Sequence, residues 1–310
     1  MKINKPIFWD EKKGLIAYFF YPLSLIIQIF FFLKNILIKK RKFKPSIICV
    51  GNIYLGGTGK TPLSIEISRK LKNLGKKTAI VKKYYKEHFD EFNLINKKTN
   101  NLFINRSRVL AINNAISKGY KNIILDDGFQ DLSINKDLSI LCFSSTQTIG
   151  NGMTLPSGPL RESLNAIKRS NIIVINGKTN KFFEKKIFKI KKKISLYYSE
   201  YEPANLNKFK NKDLLAFAGI GNPNNFFQLL IDNKLKVKKK LSYPDHYNYS
   251  KLDLIKIIKI ANNDNLKIVT TEKDYNRIEN YGFKDILNFS VKLKIKNEKK
   301  FINEIQTYLK

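Results

Sequence analysis

Short apolar runs alternate with helical spacings along this chain. The apolar runs have the length and the β-branched content of buried strands. They lie at 47–50, 78–81, 122–125, 138–143, 171–175, 214–218 and 268–271. After the first run, leucine and isoleucine recur on one helical face over 63–74, bounded by Pro62 and Gly75. This alternation predicts an α/β fold with a mostly parallel sheet that carries helices on both faces.

A glycine-rich turn follows the first apolar run and leads into Lys60 and Thr61, where the helical spacing begins. Glycines let successive backbone N–H groups point at phosphate oxygens, and a helix N-terminus favours negative charge. A lysine ammonium can contact the β- and γ-phosphates, and a threonine hydroxyl can bind Mg²⁺. We therefore predict a P-loop, although the strict pattern has glycine where this chain has Tyr54, and a glycine-rich turn with a chance lysine is the alternative. The predicted nucleotide-binding residues are Tyr54, Leu55, Gly56, Gly57, Thr58, Gly59, Lys60 and Thr61.

Two adjacent carboxylates, Asp126 and Asp127, follow the apolar run at 122–125. In a P-loop enzyme a carboxylate at the end of a strand holds Mg²⁺, directly or through water. Adjacent side chains project in different directions. We therefore predict that Asp127 faces the metal together with Thr61, while Asp126 completes the outer coordination shell. An aspartate pair that only opens a turn is the alternative.

The composition changes at residues 201–203, after a lysine-rich stretch at 181–193. The apolar runs beyond this point predict a second, smaller α/β domain. Its Gly219 and Gly221 resemble a dinucleotide-binding turn, but the third glycine is absent, and a tight strand-to-helix turn is the more common origin of such a pair. We predict three parts: an apolar and basic N-terminal segment at 1–45, a P-loop core at 46–203 and the second domain at 204–310.

The chain is strongly basic, since its 310 residues include 58 Lys and Arg against 25 Asp and Glu, a net charge of +33. Such a charge favours nucleic acids, anionic lipid surfaces or phosphorylated substrates. Lysine is abundant throughout the sequence, so the charge alone does not choose among these partners. The two cysteines, Cys49 and Cys142, lie within apolar runs. This predicts buried free thiols in a reducing compartment, with no disulfide framework or metal cluster.

No charged residue occurs over 14–33, a length close to that needed to span a bilayer, and a basic cluster follows at 39–44. Pro22 would kink one helix or begin a second. A spanning helix, a helix pair in the membrane surface and a buried core helix are the alternatives, while a cleaved signal peptide lacks a small-residue cleavage site. Because Pro22, Ser24 and Gln28 interrupt the run, we predict membrane association without crossing, with apolar helices on an anionic membrane surface.

Several motifs together resemble the tetraacyldisaccharide 4'-kinase family, the lipid A 4'-kinases. They occur in the family's order from the P-loop nearly to the C-terminus. They are GGTGKTP at 56–62, LDDGFQ at 125–130, LPSGPLRE at 155–162, AFAGIG at 216–221, PDH at 244–246 and TEKD at 271–274. A generic P-loop protein does not carry this set, and the apolar N-terminal segment fits the family as well.

The resemblance implies a two-domain α/β enzyme that is membrane-associated at the cytoplasmic face of the bacterial inner membrane. It implies an ATP-dependent kinase of lipid A biosynthesis that uses Mg²⁺. The enzyme would transfer the γ-phosphate to the 4'-hydroxyl of a tetraacyldisaccharide 1-phosphate, an acylated glucosamine disaccharide. The core at 46–203 would then be a P-loop kinase core, and no obligate protein partner is evident.

The resemblance also implies catalytic roles. In the family an acidic residue between the P-loop and the Asp-Asp motif is the proposed base, and the matching position here is Asp90, oriented by His246. Lys60 would contact the γ-phosphate. Arg161 would neutralise charge on the transferred group, or it would form a structural ion pair with Glu162.

The chain departs from the family's pattern near these positions. Phe89 stands where the family has glycine, and Phe92 replaces a small residue or proline. The sequence KKYY at 82–85 stands where the family shows Ser-Arg-Gly-Tyr, and Asp131 stands where histidine usually follows the glutamine. These departures concern the acceptor site and Asp90 more than the ATP site.

Two other functions are compatible with parts of the sequence. A P-loop ATPase that binds nucleic acid through its basic surface would explain the nucleotide site and the charge. The basic residues carry no interleaved aromatic motif, however, and no nucleic acid is expected as a partner. A non-enzymatic membrane scaffold would explain the charge and the apolar segment but not the predicted Mg²⁺ site.

Overall fold

The computed structural model describes residues 6–11 and 14–310, apart from the side chains of Lys34 and Glu87. Within these residues the chain forms strands, α-helices and short 3₁₀ turns. The strands are β1 (Ser46–Gly51), β2 (Thr78–Lys83), β3 (Leu102–Asn105), β4 (Asn122–Asp126), β5 (Leu138–Ser144), β6 (Ile172–Asn176), β7 (Ser195–Pro203), β8 (Asp213–Ala218), β9 (Lys236–Ser242), β10 (Lys267–Thr271), β11 (Ile286–Phe289) and β12 (Val291–Ile295). The helices are α1 (Leu15–Phe19), α2 (Tyr21–Ile36), α3 (Lys60–Asn73), α4 (Phe89–Thr99), α5 (Arg108–Ser117), α6 (Lys181–Ile190), α7 (Pro223–Asp232), α8 (Lys251–Asn263), α9 (Glu272–Ile278) and α10 (Glu298–Gln306).

The chain forms two compact units. The larger unit contains the described residues up to Tyr84, Asn101–Glu200 and Leu293–Lys310, and the smaller contains Tyr85–Asn100 and Tyr201–Lys292. The change of unit at residue 201 lies beside the boundary expected near 203. Two segments depart from this division. The smaller unit includes Tyr85–Asn100 from the predicted core, and the larger unit includes Leu293–Lys310 from the predicted second domain. The units are therefore not continuous blocks of sequence.

The larger unit is built on an eight-stranded sheet with the strand order β12-β7-β6-β5-β1-β4-β2-β3. Along this order, every neighbouring pair from β7 to β3 is parallel. All residues of β1, β4 and β5 are buried, as expected where both faces of a parallel sheet are covered. The predicted mostly parallel sheet is confirmed. Its order places the carboxyl ends of β1, β4 and β2 side by side.

Two helices of the larger unit show how the apolar spacing determines their packing. Leu63 and Ile67 of α3 are fully buried, on the face predicted from the spacing over 63–74. The lysine-rich stretch at 181–193 contains α6, whose Phe183 and Ile187 lie one turn apart and are buried. This stretch is therefore an amphipathic helix whose lysines lie away from the buried face.

The smaller unit contains a four-stranded sheet with the order β11-β10-β8-β9, and all of its neighbouring pairs are parallel. Leu214 and Ala216 of β8 pack in one apolar cluster with α7, whereas Leu215 and Phe217 pack in another with α8. Because successive residues of a strand point to opposite faces, α7 and α8 cover opposite faces of this sheet. The predicted second, smaller α/β domain is thus confirmed.

Helices α1 and α2 form the apolar N-terminal segment. Pro22 lies in the first turn of α2, so it begins a second helix instead of kinking a single one. Ser24 is fully buried, and its hydroxyl oxygen lies 3.0 Å from the carbonyl oxygen of Thr154 and 2.8 Å from Oγ of Ser157. The polar position that interrupts the apolar run therefore faces the protein.

The outer sides of α1 and α2 are apolar and exposed. The exposed aliphatic and phenylalanine residues are Leu15, Ile16, Phe19, Leu23, Leu25, Ile26, Ile29, Phe30, Phe31, Phe32, Leu33 and Ile36. This exposure contradicts a helix buried in the core. No helix among the described residues combines the length and the apolar character needed to cross a membrane.

Candidate active site

The loop that follows β1 turns sharply at Gly59 into α3. Gly59 is the N-cap residue of α3 and has a φ of +90°, a left-handed conformation that strains any residue with a Cβ atom. Lys60 and Thr61 are the first residues of the helix. The backbone N–H groups of this first turn have no intrahelical partners, so they are available to an anion in the loop. The local geometry is that of a P-loop.

Asn52 organises the P-loop from inside. It is fully buried, and its Nδ2 atom lies 2.6 Å from the carbonyl oxygen of Tyr54. The same nitrogen lies 3.3 Å from the carbonyl oxygen of Gly56 and 3.0 Å from Oγ1 of Thr58. One amide thus ties three points of the loop. Asn52 was not predicted from the sequence, although an asparagine between a buried strand and a glycine-rich turn was the available signal.

Tyr54, which stands where the strict pattern has glycine, anchors the loop in the core. Its side chain is fully buried, and its hydroxyl donates to Oδ1 of Asp10 at 3.2 Å. Burial and the neighbouring Asp10 carboxylate raise the pKa of Tyr54. Its backbone φ is not positive, so the position does not require glycine. The next residue, Leu55, donates its backbone N–H to the carbonyl oxygen of Pro159 at 2.8 Å, which pairs the P-loop with the LPSGPLRE motif.

Asp126 is fully buried at the end of β4 and is bonded on both carboxylate oxygens. Its Oδ1 accepts from the hydroxyl of Ser64 at 3.0 Å, and its Oδ2 accepts from the hydroxyl of Thr61 at 3.0 Å. The ammonium of Lys82, which is also buried, lies 2.5 Å from Oδ2. Asp126 therefore orients the Thr61 hydroxyl, an arrangement that fits the outer position predicted for this carboxylate.

Asp127 follows in a left-handed conformation, with a φ of +58°. Its two carboxylate oxygens lie 2.9 and 3.1 Å from Nη1 of Arg161, and its Oδ1 lies 3.8 Å from Nζ of Lys60. Burial alone would raise the pKa of Asp127, but the charges of Lys60, Arg161 and Lys82 outweigh it and hold this pKa well below its usual range. Three cations thus surround two carboxylates, and the excess positive charge favours a phosphate ligand.

Arg161 does not form the ion pair with Glu162 that was the alternative for it. Its guanidinium contacts Asp127, as described above, and lies 3.5 Å from Oε1 of Gln130. Glu162 instead accepts from Nη2 of Arg169 at 2.6 Å and from Nε2 of Gln130 at 3.1 Å. The LDDGFQ and LPSGPLRE motifs therefore meet beside the P-loop.

Thr61 and Asp127 supply oxygen atoms that fit a magnesium ion. The Thr61 hydroxyl donates its hydrogen to Asp126, so its lone pairs remain available to a cation. In P-loop sites Mg²⁺ takes one or two protein oxygens and completes its shell with phosphate oxygens and water. In the described part of the chain, no group of three or more His, Cys, Asp or Glu side chains forms a metal site.

Asp90 lies in the smaller unit, in the first turn of α4, and is buried. Nη2 of Arg277 lies 2.6 Å from its Oδ2, and Nδ1 of His246 lies 3.3 Å from its Oδ1. Burial alone would raise the pKa of Asp90. The hydrogen bond with His246 and the charges of Arg277 and Lys273 outweigh burial and lower this pKa to about 2. The predicted pairing of Asp90 with His246 is therefore present in the structure, and Arg277 joins it.

His246 is held in a strained conformation beside a second histidine. Its φ is +54°, and its backbone N–H donates to the carbonyl oxygen of Gly219 at 3.1 Å. The imidazole rings of His246 and His88 stack with centroids 5.1 Å apart and planes 7° from parallel. Neither His88 nor Arg277 was predicted from the sequence, because nothing in their local pattern links them to Asp90.

A parallel α/β sheet with a P-loop after one central strand and a carboxylate at the end of its neighbour defines a P-loop nucleotide-binding protein. The family of Tetraacyldisaccharide-1-P 4'-kinase matches residues 16–310, and the chain belongs to this family. This family match does not favour the alternative function, a P-loop ATPase that binds nucleic acid.

Relatives in this family resemble the chain over nearly its whole length. The chain is 42% identical to "Tetraacyldisaccharide 4'-kinase" of Pelagibacter ubique (strain HTCC1062), with 98% of each chain covered. It is 30% identical to the protein of the same name from Rickettsia bellii (strain OSU 85-389), with 96% of each covered. A crystal structure described as the apo form of LpxK from Aquifex aeolicus in complex with ATP has a TM-score of 0.75 and 24% identity, and covers 96% of this chain and 100% of that chain. This last likeness confirms the fold.

Proposed function

We propose that this protein is an ATP-dependent kinase of lipid A biosynthesis. It transfers the γ-phosphate of ATP to the 4'-hydroxyl of a tetraacyldisaccharide 1-phosphate. The observation that carries the proposal is the convergence of Lys60, Thr61 and Asp127 at a P-loop, in a chain of the Tetraacyldisaccharide-1-P 4'-kinase family. The description of the Aquifex aeolicus structure as an ATP complex supports ATP as the nucleotide.

Phosphoryl transfer depends mainly on positioning and on charge neutralisation. The backbone N–H of Leu55 already donates to Pro159, so the other backbone N–H groups of residues 54–61 hold the β-phosphate. Lys60 contacts the γ-phosphate. Thr61 and Asp127 would hold Mg²⁺, which would neutralise charge on the phosphates when bound. Arg161, oriented by the Asp127 carboxylate, neutralises charge that develops on the transferred group.

Asp90 interacts with the acceptor hydroxyl. With a pKa of about 2 it is ionised at neutral pH and is a weak base. It therefore orients the hydroxyl and receives its proton as the new bond to phosphorus forms, which suits a loose transition state. His246 contributes by keeping Oδ1 of Asp90 in place.

A direct assay tests the proposed function. Purified protein is incubated in detergent with Mg²⁺, ATP labelled on its γ-phosphate and a tetraacyldisaccharide 1-phosphate. We expect the label to appear in the lipid product, and we expect double-stranded DNA to leave ATP hydrolysis unchanged. ATP hydrolysis that DNA stimulates, with no labelled lipid, would contradict the proposal and would favour a nucleic-acid-dependent ATPase.

The Asp90→Asn variant tests the role of the carboxylate. The amide keeps the shape of the side chain but cannot take a proton, so we expect kcat to fall about 10²- to 10⁴-fold while the KM for ATP stays near the wild-type value. The matched control is Asp285→Asn, which changes an exposed carboxylate of the same unit and is expected to leave kcat unchanged. A near-normal kcat for Asp90→Asn would place the base elsewhere.

We further propose that the protein works at the cytoplasmic face of the bacterial inner membrane, with α1 and α2 lying in an anionic lipid surface. The exposed apolar sides of these helices support this location. The basic cluster that follows, at 39–44, is exposed at each of its lysines and arginine and is expected to attract anionic headgroups.

Sedimentation with vesicles that contain phosphatidylglycerol tests this location. Ile26 and Phe30 are 63% and 63% exposed, and the double variant Ile26→Asp with Phe30→Asp is expected to weaken vesicle binding at least about tenfold, because it removes two large apolar groups from the lipid-facing side. Leu252→Asp changes an equally exposed apolar residue of α8 and is the control. Unchanged binding of the double variant would exclude α1 and α2 as the lipid-binding element.

A further inference from the structure

Two motifs that the proposed reaction leaves without a role, AFAGIG and TEKD, meet at one buried carboxylate of the smaller unit. Asp274, the last residue of TEKD, is fully buried. Its Oδ2 accepts from the backbone N–H of Gly219 at 3.1 Å and from the hydroxyl of Thr271 at 2.7 Å. Its Oδ1 accepts from the hydroxyl of Tyr249 at 3.2 Å. A carboxylate with this many donors is fixed in orientation.

Arg277 connects this fixed carboxylate to Asp90. It lies one turn after Asp274 on α9, and its Nη1 lies 2.7 Å from Oδ1 of Asp274 and 2.8 Å from the carbonyl oxygen of Gly219. Its Nη2 lies 2.6 Å from Oδ2 of Asp90. The planar guanidinium can hold two carboxylates in this way, whereas a lysine ammonium has no such fork. The neighbouring charges of Asp274 and Asp90 raise the pKa of Arg277 against the effect of burial.

The backbone at Gly219 is part of the same arrangement. A Cβ atom at this position would lie 2.8 Å from the hydroxyl oxygen of Tyr249 and 3.2 Å from Oδ1 of Asp274. A side chain at this position would therefore displace the Tyr249 hydroxyl and crowd the Asp274 carboxylate, whereas glycine leaves both in place. This glycine of the AFAGIG motif is explained by its contact with the carboxylate network, without a dinucleotide-binding turn.

We propose that Arg277, fixed by Asp274 and the backbone of Gly219, is a positioning residue that holds the Asp90 carboxylate for phosphate transfer. The proposal rests on the proposed kinase function. Arg277 occupies Oδ2 of Asp90, so Oδ1 is the oxygen that His246 and the acceptor hydroxyl share. Because Arg277 also favours the charged form of Asp90, the carboxylate meets the hydroxyl as an anion that can receive its proton.

The test compares Arg277→Met with Arg277→Lys. We expect kcat to fall about 10²-fold in Arg277→Met, because Asp90 loses its orientation, while the KM for ATP stays near the wild-type value. Arg277→Lys keeps the positive charge, so it provides a folded variant for the test if Arg277→Met does not fold. We expect Arg277→Lys to fold but to show a kcat well below that of the wild type, since an ammonium cannot bridge both carboxylates.

The pH dependence of kcat separates positioning from a structural role. The titratable and charged groups around Asp90 are His246, Arg277 and Lys273. The ammonium of Lys273 contacts Glu91 at 2.5 Å and is near Asp245. With the pKa of Asp90 at about 2, the wild-type enzyme should show no loss of kcat from this group above about pH 4. In Arg277→Met burial is opposed by fewer charges, so the pKa of Asp90 rises and the acid limb of the profile moves to higher pH. A purely structural residue would lower the melting temperature and leave the limb unmoved.

A double variant completes the test. In the Asp90→Asn background, Arg277→Met is expected to change kcat little, because the group that Arg277 positions is already gone. Losses that multiply in the double variant, or an acid limb that stays in place in Arg277→Met, would overturn the role of Arg277. If Asp90→Asn alone kept full activity, the assignment of Asp90 would fail, and absence of transfer in the wild type would contradict the kinase function itself.

Discussion

Replacing Lys60 with alanine is expected to lower kcat for phosphate transfer about 10³-fold while the protein stays folded. Lys60 opens α3 and is the one lysine in the sequence between Gly51 and Thr61. Its ammonium lies 3.8 Å from Asp127, so it is already oriented toward the carboxylate predicted to hold Mg²⁺. Removing this charge leaves the γ-phosphate without its mobile cation.

The same change should cost little stability. The contact between Lys60 and Asp127 is long, and the Asp127 carboxylate keeps its two contacts with Arg161. We therefore expect the circular dichroism spectrum and melting temperature of Lys60→Ala to remain close to those of the wild type. Lys72→Ala is the matched control, because Lys72 is exposed on the same helix. A Lys60→Ala enzyme with near-normal kcat would contradict the P-loop assignment.

The P-loop and the Asp126–Asp127 pair could be predicted because both are local signals attached to strand ends. A buried apolar run followed by glycines and Lys60 specifies a strand, a turn and a helix without long-range information. In a parallel sheet the carboxyl ends of strands share one edge, so the aspartates were expected near the loop. The register confirms this, since Val50 of β1 lies beside Asp126 of β4.

The partners of these residues could not be predicted, because they depend on strand order and on contacts between distant parts of the chain. Lys82 meets Asp126 only because β2 lies beside β4 with these two residues in register. Arg277 meets Asp90 across 187 positions of sequence. The placement of Tyr85–Asn100 in the smaller unit could not be predicted either, since the composition does not change at either end of this segment.

Strand β9 was missed for a different reason. It contains Lys236, Lys238, Lys239 and Lys240, and most of its residues are exposed. It lies at the edge of the four-stranded sheet, where lysines deter pairing with another chain. The apolar alternation that identifies a buried strand is therefore absent, and the charged edge resembles a surface loop in sequence.

The buried pair of Lys82 and Asp126 leads to the largest expected loss of stability. We expect Lys82→Met to lower the free energy of unfolding by about 3–5 kcal/mol, because it leaves a buried carboxylate without its cation. Lys82 is 3% exposed and Asp126 is fully buried, so water cannot replace the ammonium. Methionine has a similar length, which keeps the loss of packing small. Thr61 and Ser64 still donate to the carboxylate but carry no charge. Urea unfolding of both proteins at neutral pH measures the difference.

The double variant Lys82→Met with Asp126→Asn distinguishes charge from packing. With both charges removed, no buried ion is left uncompensated, so we expect most of the stability lost in Lys82→Met to return. Activity is not expected to return with it, because an amide has a single acceptor oxygen and cannot accept from both Thr61 and Ser64 as the carboxylate does. A double variant as unstable as the sum of its single changes would instead mean that Lys82 contributes packing and that the ion pair contributes little.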